Sequence, residues 1–135
     1  HLHVFNSRGE LYLQKRPDWK DIQPGKWDTA VGGHIDLGES VEMALKREVR
    51  EELGITDFTP VRLIHYVFES SREKELVFAH KTVYDGPINP SEEVADGRFW
   101  PIEEIKANLG KEIFTPNFEN EFNKVLLENL STDKV

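Results

Sequence analysis

The chain has 135 residues, 38% of them hydrophobic, which suits one domain, residues 1–135, built around one core. It contains no cysteine, so a disulfide scaffold, a thiol nucleophile and a thiolate metal centre are all excluded. A formal net charge of −8 argues against broad nucleic-acid binding, but not against a small anionic ligand held by a metal and a local basic cluster. No apolar run is long enough to span a bilayer and no signal pattern opens the chain, so no membrane association and a cytoplasmic location are expected. The sequence opens on His1 rather than Met, directly in strand-like sequence, and residues are expected to precede it.

His1 to Phe5 alternates as a strand does, and Asn6-Ser7-Arg8-Gly9 is a turn signal. Glu10 to Lys15 follows as a second strand with Leu11 and Leu13 on one face, giving a hairpin. His1 and His3 alternate with apolar residues, and an exposed strand face is the expected place for both. Arg16 to Lys26, RPDWKDIQPGK, is a loop punctuated by Pro17, Pro24 and Gly25. It carries the cations Arg16, Lys20 and Lys26 towards a glycine turn. Trp27 to Val31 should be a short strand entering that turn at Gly32-Gly33.

The stretch GHIDLGESVEMALKREVREELGI, Gly33 to Ile55, holds the strongest pattern in the chain. Ser40 suits an N-cap, Glu42 the first turn, and Gly54 a left-handed C-cap. Val41, Ala44, Leu45, Val49 and Leu53 recur at helical spacing. At ~100° per residue from Val41, they span about −60° to +120°. Lys46, Arg47 and Arg50 fall on the opposite, solvated side. Glu48 and Glu52 fall near about −20° and +20°, inside the apolar arc, and Glu51 near about −80°, at its edge. Clustered carboxylates turned towards the protein body are unfavourable unless a cation offsets them. Oxygen ligands one turn apart suit Mg²⁺ or Mn²⁺, with a phosphate supplying the remaining ligands. A surface helix laced with i,i+4 ion pairs is the competing reading, and the arc positions of Glu48 and Glu52 argue against it.

Gly33, Glu39 and the run Arg47-Glu48-Val49-Arg50-Glu51-Glu52-Leu53-Gly54-Ile55 together resemble a complete Nudix box. The resemblance implies an α/β (α+β) Nudix fold, with a mixed sheet between helices. It also implies metal-dependent hydrolysis of a diphosphate joined to another moiety. By the same resemblance Glu48 and Glu52 would be metal ligands, Glu51 a further ligand or a base, and the Gly33 carbonyl would face the metal. Arg47 and Glu39 would hold the loop and orient the glutamates.

The run QKRPDWKDIQPGKW into GGHIDLGES is similar to the isopentenyl-diphosphate isomerases, themselves of the Nudix fold. That similarity places Arg16 and Lys20 where the isomerase contacts its diphosphate, and His34 at a metal-binding histidine. Glu73 and Glu75 match two further glutamates of that site. The isomerase needs a cysteine where this chain has Gly32, and its box is degenerate where Glu48 and Glu51 are present here. Both departures favour hydrolysis.

Beyond the box, Thr59 to Glu69 reads as a strand around Val61, Leu63 and Ile64. Ser70 to Lys74 is a polar turn, and Glu75 to Tyr84 is another long strand. In the loop SEEVADGRFWPIEEI, Glu92 or Glu93 falls where many Nudix enzymes carry a glutamate outside the box, as extra ligand or base. Arg98 to Trp100 is a short strand. Pro101 suits the first position of a helix to about Leu109, stopped by Gly110. Thr115-Pro116 opens a last helix whose stripe of Phe118, Phe122, Val125, Leu126 and Leu130 closes the core, leaving a polar tail after Ser131.

The expected function is a Mg²⁺- or Mn²⁺-dependent hydrolase acting on a small-molecule diphosphate, with Glu51 or Glu93 as the base. An isopentenyl-diphosphate isomerase and a non-catalytic Nudix domain that binds a nucleotide or RNA are the alternatives. Trp19, Trp27, Tyr66 and Phe68 are candidates to stack on the substrate. A homodimer is an allowed assembly.

Overall fold

The structure is a computed structural model and describes residues 1–19, 23–71, 74–92 and 94–127. The elements are β1 (Leu2–Phe5), β2 (Leu11–Lys15), β3 (Trp27–Thr29), α1 (Val41–Leu53), β4 (Val61–Glu69), β5 (Lys74–Val83), β6 (Asp96–Trp100), α2 (Ile102–Asn108) and α3 (Pro116–Glu121), with α3 running into a π-helical turn at Phe122–Leu126. The strands form one mixed sheet in the order β3-β2-β1-β5-β4, with β6 paired to β2. β1 and β5 run parallel; the other pairs are antiparallel.

Strand alternation sorts the core into two layers. Leu2 and Val4 of β1, Tyr12 of β2, Ala30 and Val31 meet Leu45, Val49 and Leu53 of α1 on one face. Phe5, Leu11, Leu13 and Trp100 meet Ile105 of α2 and Phe114, Phe118, Phe122 and Leu126 on the other. The sheet thus lies between helices, as expected. The β1–β2 hairpin closes on an Asn6 side chain that accepts from the backbone N–H groups of Arg8 and Glu10, with Gly9 at φ +77°.

The stripe on the last helix is buried from Phe118 to Leu126, but the helix widens at Phe122. Thr115 is its N-cap, with Oγ1 accepting from Phe118 N at 3.2 Å, and Pro116 is its first residue. Leu130 and the residues after Ser131 lie outside the described residues. Pro101 stands one place before α2, at the N-cap position. Val61 and Ile64 of β4 are exposed. Among the described residues no helix is long and apolar enough to cross a membrane.

The exposed strand face expected for His1 and His3 is not what forms. His3 lies on the Phe5 side of β1, fully buried, and its Nε2 meets a carboxylate oxygen of Glu121 on α3. His1 is half-buried, with Nδ1 at 2.9 Å from the other Glu121 oxygen. A helix laid across this face supplied the partner, and the strand pattern carries no sign of it. Of the proposed stacking aromatics, Trp27 packs against Trp100 with ring centroids 5.2 Å apart, and the Tyr66 hydroxyl donates to Glu121. Both are tied into the fold, whereas Trp19 is exposed.

Candidate active site

The helix at the centre of the box forms for local reasons. Ser40 Oγ accepts from Met43 N at 3.2 Å, and Gly54 closes the C-terminus at φ +68° with its N–H on the Arg50 carbonyl. Ala44, Leu45, Val49 and Leu53 are buried, while Glu48 and Glu52 are half-buried beside them. Glu51 points outward, its side chain 54% exposed.

Arg47, on the polar side of α1, is half-buried and joins the helix to the loop before it. Its Nε and Nη2 donate to the two oxygens of Glu39 at 2.7 and 2.9 Å. Its Nη2 also reaches the His34 carbonyl at 3.1 Å, and Nη1 donates to Glu48 Oε1 at 2.8 Å. Glu39 in turn accepts the backbone N–H of Asp36 at 2.9 Å. The Arg47 bond, aided by that backbone bond, holds the Glu39 carboxyl down to about 2, and the Glu39 and Glu48 bonds push the guanidinium above its ordinary value. Both shifts keep Glu39 and Arg47 ionised at neutral pH, so the bond between them is permanent.

Gly33 stands across from Glu48. A Cβ built on it would run into the Glu48 carboxyl group, with Oε2 at 2.5 Å, so a side chain here would have to push Glu48 aside. At Gly32 a Cβ would meet the His1 ring at an ordinary 3.5 Å. The two glycines are therefore not equivalent: a Cβ at Gly33 must move Glu48, whereas one at Gly32 makes only an ordinary contact.

Two clefts meet at Gly33, His34, His1 and Glu75. The polar one, about 320 Å³, is bordered by Lys15, Arg16, Asp28, Glu52 and Asn117. The apolar one, about 190 Å³, runs between α1 and β5. The Arg16 guanidinium lies 4.0 Å from Asp28 Oδ2, and Asp28 Oδ1 accepts from the Thr115 hydroxyl at 2.9 Å. Ser91 also borders the polar cleft, and its N–H donates to the Glu52 carbonyl at 2.9 Å, docking the 89–91 loop on the end of α1.

Gly33, Glu52, Arg16 and His34 thus share one cleft, with Glu48 at its junction with the other. Glu51 borders neither, and neither does Lys26, whose carbonyl instead accepts the Arg16 N–H at 2.8 Å. Lys20, Glu73 and Glu93 lie outside the described residues. Among the described residues no three acidic or histidine side chains converge as a ready metal site. Arg47 draws Glu48 and Glu51 towards itself, and like charges keep the carboxylates apart. The donor chemistry nevertheless suits a hard cation. Gly33 presents bare backbone, Glu48 Oε2 lies against it, and Glu52 faces the same space.

Sequence reasoning missed Lys15, Asn117 and Glu121. Asn117 and Glu121 come from α3, far along the chain, and only the packing of α3 brings them here. Glu121 is fully buried. Burial alone would raise its carboxyl, but the bonds to His1 and His3 outweigh burial and hold it well below the carboxylate range. The same pairing overcomes burial at His1 and raises its imidazole, and burial together with Glu121 raises the Tyr66 phenol.

Comparison with known proteins places this fold. Residues 1–118 match the family model for the NUDIX domain. A Nudix hydrolase of uncharacterised activity from Listeria monocytogenes is 37% identical over 121 residues, 87% of this chain and 71% of that protein. An isopentenyl-diphosphate Delta-isomerase from Photorhabdus laumondii is 26% identical over 141 residues, 93% of this chain and 80% of the other. In structure, a MutT protein from Methanosarcina mazei aligns with TM-score 0.77 and 27% identity, covering 96% of this chain and 91% of that one. The chain belongs to the Nudix hydrolase superfamily. Its branch has relatives among both the Nudix hydrolases and the isopentenyl-diphosphate isomerases.

Proposed function

We propose that this chain is a Mg²⁺- or Mn²⁺-dependent hydrolase that cleaves a diphosphate linkage in a nucleoside diphosphate-X or related small molecule. The observation that carries the reading is that Gly33 and Glu52 share one cleft with Lys15 and Arg16. That cleft also holds Asp28 and Glu75, so among the described residues its carboxylates outnumber its lysine and arginine side chains. A diphosphate would be repelled there unless a divalent cation joined it. The Gly33 carbonyl, Glu48 and Glu52 would hold that ion, which when bound neutralises phosphate charge and lowers the pKa of water.

Arg16 and Lys15 would bind phosphate oxygens, with Lys20 and Lys26 as further cations of the same loop and His34 a further contact. Glu51 or Glu93 would take the proton of the attacking water. Arg47 and Glu39 keep Glu48 turned towards Gly33, and the Gly54 cap ends α1 one residue beyond Glu52. The working form is cytoplasmic, needs no nucleic acid or membrane, and is compatible with a homodimer.

Isomerisation is the second reading, favoured by the relatives and by Arg16, His34 and Glu75 in one cleft. It lacks its proton-transfer group. Gly32 has no side chain to supply one, and a Cβ there would meet the His1 ring at an ordinary 3.5 Å. The test is a panel of nucleoside diphosphate sugars, dinucleotides, nucleoside triphosphates and prenyl diphosphates with Mg²⁺ or Mn²⁺. Metal-dependent release of phosphate products from one class supports hydrolysis. Formation of dimethylallyl from isopentenyl diphosphate at enzyme-like turnover would overturn it.

A further inference from the structure

The second cleft has a different chemistry from the first. The register Leu2↔His80 puts Leu76, Phe78 and His80 of β5 on the α1 side of the sheet, opposite Val41, Ala44 and Leu45. No lysine or arginine is among its described lining residues, and its two carboxylates, Glu48 and Glu75, sit where it meets the polar cleft. A phosphate is therefore disfavoured within it. The two histidines deepest in it are already engaged: Arg62 Nε donates to His80 Nε2 at 3.0 Å, His80 Nδ1 lies 3.3 Å from the His1 carbonyl, and His1 Nδ1 lies 2.9 Å from Glu121 Oε1. Burial also holds the His80 imidazole below its ordinary value, which keeps it neutral. Ile35 and Leu76, both at the cleft, are about half exposed, apolar surface that an occupant would cover.

We propose that this cleft is the subsite for the group carried on the diphosphate, and that this group is a short alkyl or aryl moiety. The inference rests on the diphosphate lying in the polar cleft, and it gives the substrate a direction across Gly33 and His34. The volume is consistent: an apolar cavity of about 150 Å³ takes a benzene ring, and this cleft has about 190 Å³ with an open mouth. A nucleobase would find its hydrogen-bonding edge unmatched here, which disfavours it.

The test is binding, read by calorimetry, of alkyl monoesters of methylenediphosphonate from methyl to octyl, with the adenosine ester for comparison and Mg²⁺ present. The bridge resists hydrolysis, so turnover does not enter. Affinity should rise by roughly fourfold per buried methylene through the first several carbons and then level off, and the adenosine ester should bind more weakly than the pentyl ester. In Ala44→Phe, which fills the cleft, the ratio of pentyl to methyl affinity should fall towards one. Leu76→Asp, an exposed change at the mouth that the fold tolerates more readily, should lower the same ratio. A flat series in the wild type, or an adenosine ester tighter than every alkyl ester, overturns the subsite. A rising series without hydrolysis of any diphosphate would sink the hydrolase reading and leave the subsite standing. Hydrolysis of compact diphosphates with a flat series would do the reverse.

Discussion

Glu48 packs against the bare backbone of Gly33 so closely that any side chain at Gly33 would overlap its carboxylate. The contact couples the loop to the helix at the point where both clefts open. Gly33→Ala must therefore displace Glu48 or the loop. Overpacking of this kind costs about 1–3 kcal/mol, and a shift of about 1 Å at a reacting centre can cost about a hundredfold. The variant should fold with a modestly lower Tm and lose about two orders of magnitude in kcat/KM. Wild-type kinetics in Gly33→Ala would show that the contact has no part in turnover.

Arg47 should be irreplaceable by lysine. Its guanidinium reaches Glu39, Glu48 and the His34 carbonyl at once, in a fork that an ammonium cannot reproduce. Arg47→Ala and Arg47→Lys should each lower kcat/KM by roughly 10–100-fold, the range seen when the partners of metal ligands are removed. Steady-state kinetics across a Mg²⁺ titration check this. Near-complete recovery in Arg47→Lys would mean that charge alone matters.

Glu52→Gln should weaken Mn²⁺ binding and largely abolish turnover while the circular dichroism spectrum and Tm stay close to wild type. Electron paramagnetic resonance of free Mn²⁺ reads the affinity directly. Removal of divalent ions by a chelator should abolish wild-type activity, and re-addition should restore it. Full metal-dependent activity in Glu52→Gln would remove Glu52 from the set of ligands.

Arg16 borders the polar cleft, and a charge-assisted phosphate contact contributes roughly 1.5–3 kcal/mol. Arg16→Ala should then lower kcat/KM by about ten- to a hundredfold with little change in Mn²⁺ affinity. Arg16→Lys should recover only part of the loss if the contact is bidentate. An Arg16→Ala, Lys20→Ala double variant with wild-type kinetics would make the loop a solvated connection.

The Glu121 cluster predicts a pH profile of stability. The depressed Glu121 contributes fully above its ordinary value of 4.5, and that contribution is lost as pH falls through its lower folded value. The raised His1 contributes fully below its ordinary 6.5 and loses that as pH rises through its folded value. Both contributions are complete only between about pH 4.5 and 6.5. Glu121→Gln should cost about 2–3 kcal/mol there, with the difference shrinking on either side. Urea denaturation at half-unit pH steps reads it. A difference independent of pH would show that the His1–Glu121 pair is not ionised in the folded protein.

The sequence by itself determined the box helix, its two caps, the arc that holds Glu48 and Glu52, and the shared face of Leu11 and Leu13 on β2. Each of these depends on residues within a few positions of one another, where periodicity and capping act directly. Tertiary structure alone decided that Glu121 of α3 closes on His1 and His3 of β1, across more than a hundred residues. It also brought Asn117 to the polar cleft and turned Leu76, Phe78 and His80 towards α1. In a strand, a histidine that faces solvent and one that faces a buried carboxylate have the same alternation. The difference lies in what packs on that face, and a helix from the far end of the chain leaves no local mark of where it will settle.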